Sequence, residues 1–282
     1  MQKYEPPYKT CPVCDSSHIA PYHHDFRDNK IYKCSQCYVQ FMNPVYSDDY
    51  LSDYYAKYYS GGVDSSEVLE GQGRTNEVKL DIIQRFSSKS GRLFDFGCGN
   101  GNFMTSAREQ GWQVEGYDVD CDAMEQVAKR LAAPVFCGEF ITAELDTEGY
   151  DLVHAHHVVE HLKYPSRDLK KINAILKPGG LFYVAVPNIH AASARLKFFL
   201  EKIGLRKKNI GKYYDTDHHV FYYHPKSMKK LLESAGFEVL LTMNGSKSHM
   251  KKSKIVQFFT YTLTNLIYSN SAFLMIARKK RS

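Results

Sequence analysis

The chain has 282 residues, 43% of them hydrophobic and 24% charged, with a formal net charge of +6. That composition excludes a low-complexity or disordered chain and allows one large core with a small appendage. No apolar run is long enough to span a bilayer and the N-terminus lacks a signal-peptide pattern, so a cytoplasmic location is expected.

Four of the seven cysteines come first. Cys11-Pro12-Val13-Cys14 and Cys34-Ser35-Gln36-Cys37 are two C-x2-C pairs with 19 residues between them. Thiolates at this spacing can close a tetrahedral zinc site, and a segment of about 45 residues has too little core to fold without such help. Residues 1–45 are therefore expected to form a zinc ribbon on Cys11, Cys14, Cys34 and Cys37. A four-thiolate site is closed, hence structural. Residues 46–73 follow as a tyrosine-rich linker or lid. Tyr46, Tyr50, Tyr54 and Tyr58 recur every four residues and would make one aromatic stripe on a helix. The stripe suits packing between two domains or covering an active site, and the glycine-rich stretch to Gly73 reads as a hinge.

From residue 74 to 282 helix and strand patterns alternate. Helix 75–89 places Val78, Ile82 and Phe86 on one face. Strand 93–97, helix 101–110, strand 112–117, helix 121–131, strand 134–137, strand 150–155, helix 166–176 and strand 181–186 follow, then a helix from Pro225 to Gly236 and strands 237–243 and 271–278. Such alternation predicts an α/β, Rossmann-like, doubly wound fold with a mostly parallel seven-stranded sheet. Cys98, Cys121 and Cys137 read as small buried residues, and the odd cysteine count speaks against a disulfide framework.

The first of these strands ends in Asp95, and Gly97, Gly99 and Gly101 follow at alternate positions before the next helix. Glycines let a ligand lie against bare backbone, and the helix start offers free N–H groups. A dinucleotide turn needs a third glycine where this chain has Asn102. A carboxylate at Asp95 would repel a pyrophosphate and suit an ammonium. That points to S-adenosylmethionine, which carries an amino group and a sulfonium and no phosphate. Gly97, Cys98 and Gly99 form the turn itself. Asp118, 21 residues after Gly97, ends the second strand beside Val119, where an acid can accept from two ribose hydroxyls. Glu139, with Phe140 beside the ring, can meet the adenine.

With Phe94-Asp95-Phe96-Gly97-Cys98-Gly99-Asn100-Gly101 come Tyr150-Asp151-Leu152-Val153, Val158-Val159-Glu160-His161-Leu162 and Leu176-Lys177-Pro178-Gly179-Gly180-Leu181. Val186-Pro187-Asn188 and Leu231-Leu232-Glu233-Ser234-Ala235-Gly236-Phe237 complete an ordered set. On these motifs residues 74–282 resemble the class I S-adenosylmethionine-dependent methyltransferases, in the branch that includes ubiquinone-biosynthesis-type O-methyltransferases and tailoring enzymes of sugars and secondary metabolites. The resemblance implies methyl transfer to a small molecule, sugar or lipid-linked acceptor. It also implies an antiparallel last strand, a zinc ribbon ahead of the catalytic domain, and Arg74 at the cofactor carboxylate. His156, at the end of its strand, joins the cofactor set.

In ubiquinone-type relatives an acid opens an E-x-x-E-H run that binds a divalent metal. His157 stands at that position here, so a second metal on His157, Glu160 and His161 is not expected. His161 is a candidate general base, because an imidazole titrates near neutrality. His219, in the run Asp217-His218-His219-Val220-Phe221-Tyr222-Tyr223-His224, is a second, with Tyr222 or Tyr223 as an acceptor wall. Oxygen is the expected acceptor atom; carbon and nitrogen stay open. Amphipathic stretches 195–203 and 254–268 beside basic clusters suit a substrate cap, a homodimer face or a peripheral membrane contact. The alternative functions are an RNA or DNA methyltransferase and a non-catalytic zinc-ribbon interaction module. Nucleic acid is disfavoured because the charge is modest and dispersed.

Overall fold

A computed structural model describes residues 3–51, 66–87, 90–214, 216, 219–245 and 270–281. Strands β1 (Ile19–His24), β2 (Lys30–Cys34) and β3 (Gln40–Met42) form an antiparallel ribbon. Helix α1 (Ser66–Gln84) leads into β4 (Arg92–Phe96), α2 (Asn102–Glu109), β5 (Gln113–Tyr117), α3 (Cys121–Leu131) and β6 (Val135–Phe136). Then come β7 (Tyr150–His156), α4 (Pro165–Ile175), β8 (Leu176–Pro187), α5 (Ala192–Lys202), β9 (Phe221–Tyr222), α6 (Pro225–Ser234), β10 (Phe237–Gly245) and β11 (Ala272–Lys279).

Seven strands make the main sheet, in the order β10-β11-β8-β7-β4-β5-β6. Pairings from β8 through β6 are parallel. β11 is antiparallel to both its neighbours, as the resemblance implied. Covered on both faces by helices, the central strands are apolar almost throughout: Leu93, Phe94 and Phe96 of β4 and Leu152, Val153 and Ala155 of β7 are buried. The helices are specified locally. Asp120 caps α3 by accepting from the Ala123 N–H at 3.1 Å, and Met124, Val127 and Leu131 turn its apolar stripe inward.

The ribbon forms a second sheet that takes in a strand from the later part of the chain. Its β3 pairs antiparallel with β9, Gln40 opposite Tyr222 and Phe41 opposite Phe221, and the Met42 N–H donates to the Val220 carbonyl at 2.9 Å. Cys11, Val39 and Phe41 share one apolar cluster with Phe221, Tyr223 and Leu231. Tyr46 is buried and stacks on Tyr4 at 5.4 Å and Tyr50 at 4.4 Å, so this end of the tyrosine stripe packs; Tyr54 and Tyr58 lie outside the described residues.

Four expectations are corrected. Helix α1 starts at Ser66, so residues 66–73 are helical rather than a hinge. Its buried face carries Asn76, Lys79, Leu80 and Ile83 while Val78 is exposed, because polar groups with partners occupy two inward positions. Cys121 and Cys137 are exposed and joined in a disulfide. The parallel register pairs Tyr117 with Phe136, so the segments leaving β5 and β6 run side by side and bring the two cysteines together. Tyr222 and Tyr223 are buried in apolar clusters rather than presented to solvent. Helix α5 exposes Leu196 and Phe199 on its outer face, and the stretch 254–268 lies outside the described residues. Among the described residues no helix is long and apolar enough to cross a membrane.

Candidate active site

The carboxyl ends of β4, β5, β6 and β7 meet at one rim, where open α/β sheets bind ligands. The turn after β4 is left-handed at Gly97 (φ +78°) and Gly99 (φ +50°). A Cβ on Gly97 would come within 2.3 Å of Val158, so the turn lies directly on the segment after β7. Among the described residues a Cβ on Gly99 would meet nothing within 4 Å, so this backbone is open to a ligand. Gly138 is open in the same way.

Asp118 braces this cradle. One of its carboxylate oxygens accepts from the Gly99 N–H at 2.9 Å and the other from the Val119 N–H at 2.8 Å. Oδ1 also accepts from the Asp120 N–H at 3.5 Å, so the acid ties the glycine turn to the segment that leaves β5. Val119, 50% exposed, offers an apolar surface at the rim, and the Glu139 side chain is exposed and makes no capping bond. Phe140 departs from expectation. Its ring is buried against Phe96 (4.5 Å) and Tyr117 (5.3 Å), so it supports the loop from beneath instead of flanking an adenine. Cys98 is buried beneath the turn. His156 sits half-buried at the end of β7. The side chain of Arg74 lies outside the described part of α1.

Asp95 does not face the cradle. It is buried, and His154 Nδ1 lies 2.6 Å from its Oδ1. The His154 ring stacks on Phe103 at 3.6 Å and on Tyr183 at 4.9 Å. Burial pushes the Asp95 carboxyl up to about 7, against the pull of the Lys79 ammonium. Burial, then the field of Lys79, holds His154 well below the ordinary imidazole range. The direct contact with a cofactor ammonium expected of Asp95 is therefore closed off, since its Oδ2 is sealed from solvent and finds no hydrogen-bond partner. Sequence reasoning missed both His154 and Lys79. The available signal was a histidine at an inward position of an apolar strand, and a lysine four turns into a helix at the spacing of its buried face.

A second acid–histidine group lies beyond Val158. Glu160 is fully buried, His157 Nδ1 lies 3.0 Å from its Oε1, and a nitrogen of His161 and one of His219 lie within 4.8 Å of a Glu160 oxygen and of each other. The rings of His161 and His219 are 4.9 Å apart, and both residues are half-buried. Burial acts to raise the Glu160 pKa, but the His157 hydrogen bond and the fields of His161, His157 and His219 outweigh it, and the net direction is down. His157 itself has φ +59°, a left-handed conformation that a non-glycine residue holds only under local constraint. The two proposed bases, 58 residues apart in sequence, are thus brought together. Val220, whose N–H donates to the Glu160 carbonyl at 2.9 Å, fixes the His219 segment here.

At the far end of the ribbon, the four cysteine sulfurs lie within 4.8 Å of one another, with Cys11–Cys37 at 3.6 Å and Cys14–Cys34 at 3.7 Å. Both knuckles are built alike: Asp15 and Tyr38, each four residues past the first cysteine, donate back to it and take a left-handed φ. A tetrahedron with Zn–S bonds of about 2.3 Å has edges of about 3.8 Å, so this donor set fits a zinc ribbon.

A mostly parallel seven-stranded sheet with one antiparallel strand, and an open glycine cradle braced by an acid on the neighbouring strand, define a class I S-adenosylmethionine-dependent methyltransferase. The chain belongs to the family described as "Methyltransferase domain", whose model matches residues 72–242. It is 25% identical over 193 residues to a ubiquinone biosynthesis O-methyltransferase of Coxiella burnetii, covering 64% of this chain and 77% of that protein. It spans about half, 51%, of other curated relatives of the same description. Among solved structures it resembles Haemonchus contortus phosphoethanolamine N-methyltransferase 2 in complex with S-adenosylmethionine, with a TM-score of 0.53 at 16% identity, over 74% of this chain and 53% of that one. It also resembles a SAM-dependent methyltransferase from Archaeoglobus fulgidus, with a TM-score of 0.52 at 20% identity, over 77% of this chain and all of that one. At these identities the structural likenesses speak for the fold.

Proposed function

We propose that this methyltransferase methylates an oxygen of a small molecule, a sugar or a lipid-linked acceptor, with His219 as the general base. The observation that carries this reading is a pair of half-buried imidazoles held over a buried carboxylate, Glu160, whose own segment carries the Val158 that lies against the glycine turn. The description of the curated relatives as O-methyltransferases supports the same choice of atom.

When bound, S-adenosylmethionine supplies an electrophilic methyl group on a sulfonium. In this reading the backbone of Gly97, Cys98 and Gly99 holds it, with Asp118 at the ribose, Val119 and Glu139 at the adenine and His156 toward the amino-acid end; Arg74 is added on the resemblance alone. In-line transfer asks mainly for alignment. A neutral hydroxyl adds the need for a proton acceptor. His219, with His161 beside it, takes that proton as the oxygen becomes bonded to carbon. Glu160, held ionised by the surrounding histidines, favours the imidazolium that forms. Glu160 is thus a positioning residue that acts through its neighbours.

We further propose one structural zinc on Cys11, Cys14, Cys34 and Cys37. The sulfur spacing supports it. Through β3 and β9 the metal-held ribbon would fix the strand that follows His219.

Incubation with carbon-13-methyl-labelled S-adenosylmethionine and a panel of hydroxyl-bearing acceptors tests the reading. The chemical shift of the transferred methyl distinguishes ether from amine or carbon-bound product. An ether formed by the wild type and not by His219→Ala is expected. A product methylated on nitrogen or carbon, or equal turnover by His219→Ala, would contradict it.

A further inference from the structure

Between the ribbon and helix α5 lies a cavity of about 210 Å³ that the catalytic argument does not use. Tyr22 of β1, Phe198 of α5, Tyr213 and Tyr214 wall it with rings, and Gln40, His190 and Arg195 supply its polar side chains. Tyr22 and Phe198 stack with their planes 5° apart and ring centres at 5.8 Å. Tyr214 is buried and anchored by donating to the Gln40 side-chain oxygen at 2.8 Å, so the floor of the cavity is rigid.

Three features assign this cavity a ligand. First, His190 on its wall lies just past the carboxyl end of β8, at the rim of the sheet where open α/β folds bind ligands. The Tyr214 ring lies edge-on to Tyr222 at 4.8 Å, and the Tyr222 hydroxyl donates to the His219 carbonyl at 2.9 Å. Tyr214 and Tyr222 thus link the wall of the cavity to the backbone of the proposed base. Second, its walls suit a flat or ring-shaped body, and its volume lies below the range for drug-sized ligands, which favours a single ring. Third, its charge has one sign. Arg195 lines it, and the Lys33 ammonium sits 4.7 Å from the Tyr22 ring centre. The nearby acid, Glu201, is buried and already engaged by Arg206 (3.4 Å), the Tyr213 hydroxyl (3.1 Å) and the Gly211 N–H (3.2 Å). Burial, then Lys33 and Arg195, lowers the His190 pKa, as a surplus of cationic field requires.

We propose that this cavity binds the body of the methyl acceptor, and that the acceptor is a single-ring compound bearing a phosphate or a carboxylate. Ring stacking holds the body and Arg195 pairs with the anion. A planar guanidinium suits either oxyanion. The inference rests on the reading of the chain as a small-molecule methyltransferase and narrows its substrate class. It also gives the ribbon a second task, because Tyr22 reaches the ligand from the ribbon's outer strand.

Calorimetric titration of the full chain tests it, with benzoate against benzamide, phenyl phosphate against benzyl alcohol, and glucose 6-phosphate against glucose. S-adenosylhomocysteine is titrated into the same samples. In at least one pair the anion is expected to bind about tenfold or more tightly than its neutral partner, and the pair that responds says whether the ring is aromatic or a sugar. Arg195→Gln should remove most of that preference and leave S-adenosylhomocysteine affinity unchanged; the exposed position of Arg195 on α5 lets this variant fold. Equal binding within all three pairs, or a preference that survives Arg195→Gln, overturns the proposal while the methyltransferase reading stands. Failure of folded wild type to bind S-adenosylhomocysteine overturns that reading, and this inference with it.

Discussion

Asp95 with His154, and Glu160 with His157, His161 and His219, are built from the same two residue types and end in opposite electrostatic states. The first pair is sealed beneath the glycine turn, both partners buried and the imidazole neutral, so desolvation wins and the carboxyl titrates near 7. The second carboxylate is as deeply buried, yet three histidines face it and its pKa falls. The difference lies in access. His161 and His219 are partly exposed, as a base for an acceptor must be, whereas His154 is sealed between rings and against its acid. A buried acid–histidine contact is thus no mark of catalysis; one with a half-open imidazole is a candidate for it.

The largest test separates the groups through the ribbon. His219 adjoins the strand that β3 holds, while His154 lies within the main sheet. Chelation, or Cys34→Ser, should release about one equivalent of zinc and lower Tm by more than about 10 °C. Turnover should then fall much further than affinity for S-adenosylhomocysteine. A parallel loss of both would mean that the ribbon supports the whole domain rather than the open group. A second metal equivalent, lost on His219→Ala, would recast Glu160, His161 and His219 as a metal centre.

His154→Ala strips the sealed pair of one partner and leaves a hole between Phe103 and Tyr183. It should cost about 3–5 kcal/mol of stability, read by urea denaturation. A cost under about 1 kcal/mol would show that the pair is not the prop described here. His219→Ala should do the reverse, with near-wild-type stability and kcat reduced roughly a hundredfold or more, about 3 kcal/mol.

Smallest is the pH response. The folded-state pKa of Asp95 is raised above the unfolded value of about 3.9, so its contribution is greatest below pH ~4 and is lost as the pH climbs toward 7. Glu160, lowered, contributes above its unfolded value of about 4.3 and loses that contribution on acidification. Asp95→Asn should therefore compare more favourably with wild type at pH 8 than at pH 5, by on the order of 1–2 kcal/mol. Glu160→Gln should compare less favourably at neutral pH than in acid. Identical differences at both pH values would remove the opposed assignment.

Much of this arrangement was legible in the sequence because it is local. Alternating apolar strands and helical stripes gave the α/β order, and the spacing of Cys11, Cys14, Cys34 and Cys37 gave the ribbon. The alternate glycines marked the cradle. What escaped depends on pairing across the chain. His219 meets His161 through the Val220 bond to Glu160 and the pairing of β9 with β3, and Cys121 meets Cys137 through the parallel register of β5 and β6. Lys79 and His154 escaped for another reason: each occupies an apolar slot, and periodicity counts such slots as core. Asp95 was read outward, as an acid at the end of a strand, when its partner lay on β7.

The account depends first on the cradle. Gly99 is its best probe, because a Cβ there meets no atom of the described residues within 4 Å, and asparagine tolerates the left-handed backbone that the position requires. Calorimetric titration of S-adenosylhomocysteine into wild type and Gly99→Asn should give one tight site in the first and at least about tenfold weaker binding in the second, with Tm nearly unchanged. Folded wild type that takes up no S-adenosylhomocysteine at millimolar concentration, or a Gly99→Asn variant that binds it as tightly as wild type, would contradict the placement of the methyl donor on this turn.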